Sequence, residues 1–268
     1  MAARGLPASA PSTAGMVSMH RLLLFALFGA AAQAVDGSLG MGFGVTSTSL
    51  LLSLGVGSAL ASASVHMAEL ATSLISGLSH FRIGNVERRL FWPLLASGVA
   101  GAIGGTLAAV RYQDAPAIRV VVAAILLVLG VMIVVRFARK RQHRHAVPSP
   151  RRLLLIGFPA AFIDALGGGG WGPIATPSLL MSNVDPAKAV GTVNAVEFFV
   201  TLTISAVFLA ALPVIDWSVV LPLAVGAAVT APFAAFVTRK MPTRALGTAV
   251  GIVIILLSTR TIALALFR

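Results

Sequence analysis

The run Asp164-Ala165-Leu166-Gly167-Gly168-Gly169-Gly170-Trp171-Gly172-Pro173 sets four adjacent glycines inside an otherwise apolar part of the chain. Four glycines would weaken a helix by about 1 kcal/mol each relative to alanine. The GxGxxG context of strand and helix is missing and no Walker lysine follows, so a soluble nucleotide-binding loop is ruled out. Unwound backbone inside a membrane, by contrast, persists where it lines a cavity or is sealed by protein. The freed amides of this run are therefore placed to face a ligand.

The surrounding composition calls for a bilayer. Of 268 residues, 57% are hydrophobic and 10% charged, with a mean hydropathy of +0.95, whereas soluble domains carry about 25% charged residues. The chain is long enough to bury a core but lacks the polar residues to coat it. Twenty Lys and Arg against eight Asp and Glu give a net charge of +12, and seven of the twenty fall within residues 136–152, directly after the sixteen-residue apolar run 120–135. Bare apolar runs alternating with basic loops are a membrane-topology signal, so no nucleic-acid partner is expected. With no cysteine, disulfides, thiolate chemistry and Cys-based metal sites are excluded.

The glycine run has an echo. Sliding the chain by 128 positions brings Asp36 onto Asp164, Gly40 onto Gly168, Gly42 onto Gly170, Gly44 onto Gly172 and Thr48 onto Thr176. The same offset sets Glu69 on Glu197, His66 on Asn194, Gly98 on Gly226 and Arg111 on Arg239. Carboxylates falling into register with a glycine cluster point to duplication. Residues 1–20 read as a disordered tail, 21–138 as a first transmembrane repeat, 139–152 as a basic cytoplasmic loop and 153–268 as a second repeat. Residues 22–34 also match a secretory signal ending in Ala32-Gln33-Ala34. Because residues 22–35 mirror 153–163, where a signal is impossible, retention of this segment is expected.

The expected fold is all-α and polytopic, with eight to ten hydrophobic segments. They run about 22–35, 38–57, 59–79, 91–110 and 117–138, then 153–165, 171–182, 187–212, 217–237 and 245–264. A spanning helix needs roughly 20 residues, and the first two segments of each half fall short. Each such pair is one broken span or a re-entrant pair meeting near the glycines. The positive-inside rule places 136–152 and the loop with Arg239, Lys240 and Arg244 in the cytoplasm, and 213–216 outside. Counting back, 183–186 lie inside, so the broken segment returns to the side it left. Both halves then hold an odd number of crossings and are inverted relative to each other, a common plan for secondary transporters. The alternative is eight full spans in two parallel halves.

Pro173 suits a first helical turn, where its missing N–H is no loss, and a helix starting there could hold an anion on its exposed amides and partial positive charge. Close helix packing is the competing use of the glycines. Gly40-Met41-Gly42-Phe43-Gly44 is a milder form of the same break, with Thr46 and Thr48 behind it as Thr176 stands behind the second. Candidate substrate contacts are therefore Gly42, Gly44, Thr46, Thr48, Gly168, Gly169, Gly170, Trp171, Gly172 and Thr176, with Thr192 and Asn194 from the run before Glu197. Glu69 shares a helix face with His66, and Glu197 with Asn194. Carboxylates in hydrocarbon are expensive and normally face a bundle interior or aqueous path, which makes Glu69, Glu197 and His66 candidates for proton coupling. Asp36 and Asp164 join them, with helix capping as their other role. Neither a metal site nor a cofactor is expected; His143 and His145 read as a polar run.

The duplicated break, Asp36 to Thr48 and Asp164 to Thr176, followed by Gly191-Thr192 and the basic central loop, resembles the sulfite exporter TauE/SafE family, also described as the toluenesulfonate uptake permease group. The resemblance covers residues 22–264. It implies a multi-pass inner-membrane carrier of small sulfur-containing or carboxylated anions, in contact with membrane lipids, and not an enzyme. Two departures stand out: the first repeat has a shorter glycine run, and it has His66 where the second has Asn194. An asymmetric, proton-responsive donor would follow from His66 if the halves form one site. A secondary transporter of sulfite, an organosulfonate or a related oxyanion, with protons as candidate coupling ion, is the first hypothesis. An anion channel, and an intramembrane enzyme or assembly subunit whose glycines only permit packing, remain open beside it.

Overall fold

The computed structural model describes residues 19–39, 41–112, 116–138, 147–212, 215–237 and 243–266. Most of the expected tail 1–20, most of the basic loop with His143 and His145, and Arg239 and Lys240 lie outside the described residues. The described residues are all helical, in the order α1 (Met19–Leu39), α2 (Phe43–Ser53), α3 (Ser58–Arg82), α4 (Arg88–Arg111), α5 (Pro116–Ala138), α6 (Pro150–Gly167), α7 (Trp171–Met181), α8 (Pro186–Ala211), α9 (Trp217–Val237) and α10 (Thr243–Leu266).

Helix ends follow local chemistry. Ser149 precedes Pro150 at the start of α6, where proline loses nothing. Asp185 caps α8 by accepting from Ala187 N–H and Lys188 N–H at 2.9 and 3.1 Å, and Glu87 caps α4 through Arg89 N–H. Each half opens with a long arm and a short one: α1 has 21 residues and α2 11, while α6 has 18 and α7 11. The first break starts later than the end of the expected segment 22–35, because α1 runs on to Leu39. The helix after the second break starts at Trp171, where the expected segment 171–182 begins, with Pro173 inside its first turn.

Polarity is inverted relative to a soluble protein. Leu27, Leu155, Val229, Phe233 and Leu256 stand out on the surface, whereas Thr48, Ser62, His66, Thr106, Thr192 and Thr201 are fully buried. Large apolar side chains facing outward around an interior that holds both apolar and polar groups match a lipid solvent. Residues Arg88–Arg111 and Ala187–Ala211 are each long and apolar enough to cross a membrane. Trp92 and Trp217, near helix starts, are exposed, as interfacial anchors are.

The main pairings are α1 with α9, α4 with α6, α3 with α8 and α5 with α10. Exchanging every helix for the one five places on maps these pairs onto each other. Small residues allow the close approach: Gly29 lies on the Leu223 backbone, Gly226 on that of Ala26, and Gly101 and Gly105 on those of Phe158 and Phe162. These glycines serve packing inside the chain. Along α3 and α8, Ser76 meets Asn194 while Gly84 meets Lys188, so the two helices run antiparallel.

Candidate functional site

The two breaks meet. Gly44 lies directly against Gly168 and Gly169: a Cβ on Gly44 would stand 2.8 Å from Gly169 Cα, and one on Gly169 2.6 Å from Val45 Cα. Only glycine allows backbone to touch backbone this way. Gly168 also takes the left-handed conformation, φ 67° and ψ 30°, and its N–H returns to Asp164 O to end α6. The carbonyls left open at that end are satisfied by hydroxyls from the first half. Thr48 Oγ1 donates to Gly168 O at 2.6 Å, and Ser62 Oγ to Ala165 O at 2.7 Å.

Asp36 and Asp164 sit in the last turns of α1 and α6 and reach across the breaks. Asp164 Oδ1 accepts from Gly170 N–H at 2.7 Å, and Asp36 Oδ1 from Phe43 N–H at 3.4 Å. These N–H groups open α7 and α2, where unpaired donors and partial positive charge favour a negative group. Each short helix thus has one of its first N–H groups paired with a carboxylate of its own half.

Between the breaks, α3 and α8 lies one internal cavity. The carboxyl groups of Asp36, Glu69, Asp164 and Glu197 line it, together with Gly42, Gly44, Val45, Gly169, Gly170, Gly172 and Pro173. About 10 Å³ is open to the centre of a water-sized sphere, room for about one water molecule. Among the described residues no Lys or Arg contributes to its wall. Glu69 and Glu197 are 5% and 6% exposed, and neither carboxylate has a hydrogen-bond or ion-pair partner among the described residues. His66 is fully buried beside the cavity, with Nε2 3.1 Å from Asp164 Oδ2 and Nδ1 2.8 Å from Ser62 O.

Comparison with known proteins gives the family. Residues 25–261 match the family model described as Sulfite exporter TauE/SafE. The chain belongs to the sulfite exporter TauE/SafE family. It is 39% identical over 253 residues, 91% of its own length and 83% of the relative's, to a Bacillus subtilis (strain 168) protein named "Probable membrane transporter protein YtnM". A 40-residue segment is 55% identical to a Haemophilus influenzae protein named "Probable membrane transporter protein", covering 15% of each chain. No solved structure matches. Family membership makes this chain a membrane transporter.

Of the residues singled out in this TauE/SafE member, Gly42, Gly44, Gly169, Gly170, Gly172, Asp36, Glu69, Asp164 and Glu197 share the cavity wall. The others do different work. Thr46 Oγ1 bonds back to Gly42 O within its own helix, Thr176 is buried in α7, and Thr48 and Gly168 bond to each other as the interlock. Trp171 packs over Gly98, and its indole N–H donates to Val193 O at 3.1 Å. Thr192 and Asn194 lie off the cavity. Thr192 Oγ1 accepts from Glu87 N–H at 2.9 Å, and Asn194 accepts from Ser76 Oγ at 2.8 Å and donates to Val190 O at 2.9 Å. Two contributors escaped the sequence reading. Ser62 stands one turn before His66, a spacing that signals a shared face. Arg260 donates through Nη1 to Ser53 O at the carbonyl end of α2, and the repeat conceals it because its counterpart is Met132.

Proposed function

We propose that the chain is a secondary transporter that carries a small anion, sulfite or an organosulfonate or related sulfur or carboxylate oxyanion, across the cytoplasmic membrane as a multi-pass protein, with protons as the coupling ion. The observation that carries this reading is the cavity: two interrupted helices, one from each half, meet there with their N-termini, and four carboxylates but no fixed cation surround it.

An anion alone would be repelled from that wall. Two like charges at 4 Å repel by about 4 kcal/mol at the effective dielectric of a protein near its surface. Protons taken up by these carboxylates, and by His66 beside them, reduce that repulsion. The N-termini of α7 and α2 then add partial positive charge for the substrate. Glu69 and Glu197 have no described partners to give up when they take up a proton.

Alternating access fits the cavity's size. A sulfite has four heavy atoms against water's one, so the halves must separate before it can enter. The antiparallel course of α3 and α8, and a pairing scheme that maps onto itself when the halves are exchanged, support two inverted halves rocking about this point. Proteoliposomes loaded with the purified chain test the reading: labelled sulfite, an alkylsulfonate or a carboxylate should accumulate when an opposing pH gradient is imposed. Failure of every such anion to move, with or without the gradient, would overturn it.

A further inference from the structure

The proton count around His66 follows from its partners. Nδ1 stands 2.8 Å from the carbonyl oxygen of Ser62, which can only accept, so Nδ1 carries a hydrogen. The Ser62 hydroxyl, 3.3 Å from the same nitrogen, has given its own hydrogen to Ala165 O. A neutral imidazole has one N–H. Its Nε2 would then turn a bare lone pair toward Asp164 Oδ2 at 3.1 Å, a repulsive contact. One more hydrogen must lie between them, on the ring as imidazolium facing carboxylate, or on the acid donating to the ring. Either way the pair is neutral and holds one proton that a neutral imidazole beside an ionised Asp would lack.

We propose that the His66–Asp164 pair carries one coupling proton, and that it latches the α6–α7 break to α3 only while that proton is bound. The proposal rests on the proton-coupled reading above and assigns one of its protons to named atoms. The same carboxylate that meets His66 through Oδ2 holds the start of α7 through Oδ1, so one side chain joins the proton, α3 and the break. Losing the proton leaves a net negative charge facing Asp36 of α1, Glu69 of α3 and Glu197 of α8 across the cavity. Among the described residues no further cation lines the cavity: α2, α7 and α9 have no titratable side chain, and apart from His66 the basic residues of α3, α4, α5, α6 and α8 fall near helix ends in the sequence. Repulsion and the lost hydrogen bond then drive Asp164 from α3. The other half has no such latch, because the counterpart of His66 is Asn194, which bonds to Ser76 and Val190 instead of Asp36. Proton-driven opening therefore belongs to α6–α7 alone.

Asp164→Asn separates the possibilities. Its amide oxygen can still accept from Gly170 N–H while its amide nitrogen donates to Nε2, imitating a pair that cannot unload. In proteoliposomes of the full chain, D164N should lose both the accumulation of labelled sulfite driven by a pH gradient and its exchange, because a latch that cannot unload keeps the α6–α7 break closed. Accumulation or exchange by folded D164N equal to that of the unsubstituted chain overturns the proposal alone. Absence of pH-driven flux in the unsubstituted chain overturns the transport reading and the proposal with it. A measurement without transport checks the proton count: replacing His20, His80, His143 and His145 by Gln leaves one imidazole, whose ¹⁵N solid-state NMR spectrum should show hydrogen on Nδ1 and Nε2 either protonated or accepting a hydrogen bond. A bare Nε2 with no hydrogen bond, or a bare Nδ1, overturns the proposal.

Discussion

Gly169 is where a single methyl group has the largest consequence. Its Cβ would meet the backbone of Gly44 and Val45 rather than a movable side chain, so Gly169→Ala must part the two breaks. Overpacking of this kind costs about 1–3 kcal/mol, and G169A should lower the melting temperature in detergent and abolish flux. Gly104 is the control, because its added Cβ would only touch the Phe162 ring at 3.6 Å; G104A should keep both stability and flux. At Glu197 the expectation is different. Its carboxylate gives up no described partner, so Glu197→Gln should assemble normally while losing the dependence of flux on pH gradient. Wild-type coupling in E197Q would remove Glu197 from the proton path. The glycines and carboxylates at these positions were legible in the sequence because four glycines are costly in a helix and an acid is costly in lipid. Which glycine touches which backbone was not, since Gly44 and Gly169 are joined by no pattern of spacing.

At the scale of elements, α6 ends inside the protein and its last carbonyls need donors. They come from α2 and α3, at separations of 120 and 103 residues in the chain. Thr48→Val keeps the shape of the side chain but strands Gly168 O, and a buried acceptor without its donor costs about 1–3 kcal/mol. T48V should therefore unfold at a lower temperature in a thermal melt. Ser205 on α8 offers the contrast: its buried hydroxyl has no hydrogen-bond partner among the described residues, so Ser205→Ala should leave the melt unchanged. Equal effects of the two substitutions would mean that the interlock does not hold α6. Thr48 stood out in the sequence as a hydroxyl near a break, but as a substrate donor. Its use by the α6 carbonyl depends on how the halves dock, which one-dimensional periodicity does not encode. The same holds for Thr192 and Asn194, whose partners Glu87 and Ser76 lie on neighbouring elements.

For the molecule as a whole, the 128-residue offset sets glycines and rare carboxylates in register, which is the basis for expecting a duplication, and the basic loops are the basis for expecting inverted halves. The contacts of Gly84 with Lys188 and of Ser53 with Arg260 put the α3–α4 turn with the start of α8, and the end of α2 with that of α10. If the halves are inverted, the short arms α2 and α7 end on opposite membrane faces. The natural chain has no cysteine, so single replacements report cleanly. Leu54→Cys at the end of α2, Met181→Cys at the end of α7 and Val147→Cys before α6 all sit at exposed positions. With a membrane-impermeant thiol reagent applied to intact cells and then to inverted vesicles, M181C and V147C should label from the cytoplasmic face and L54C from the opposite one. Labelling of L54C and M181C from the same face would contradict two inverted halves meeting at a shared cavity.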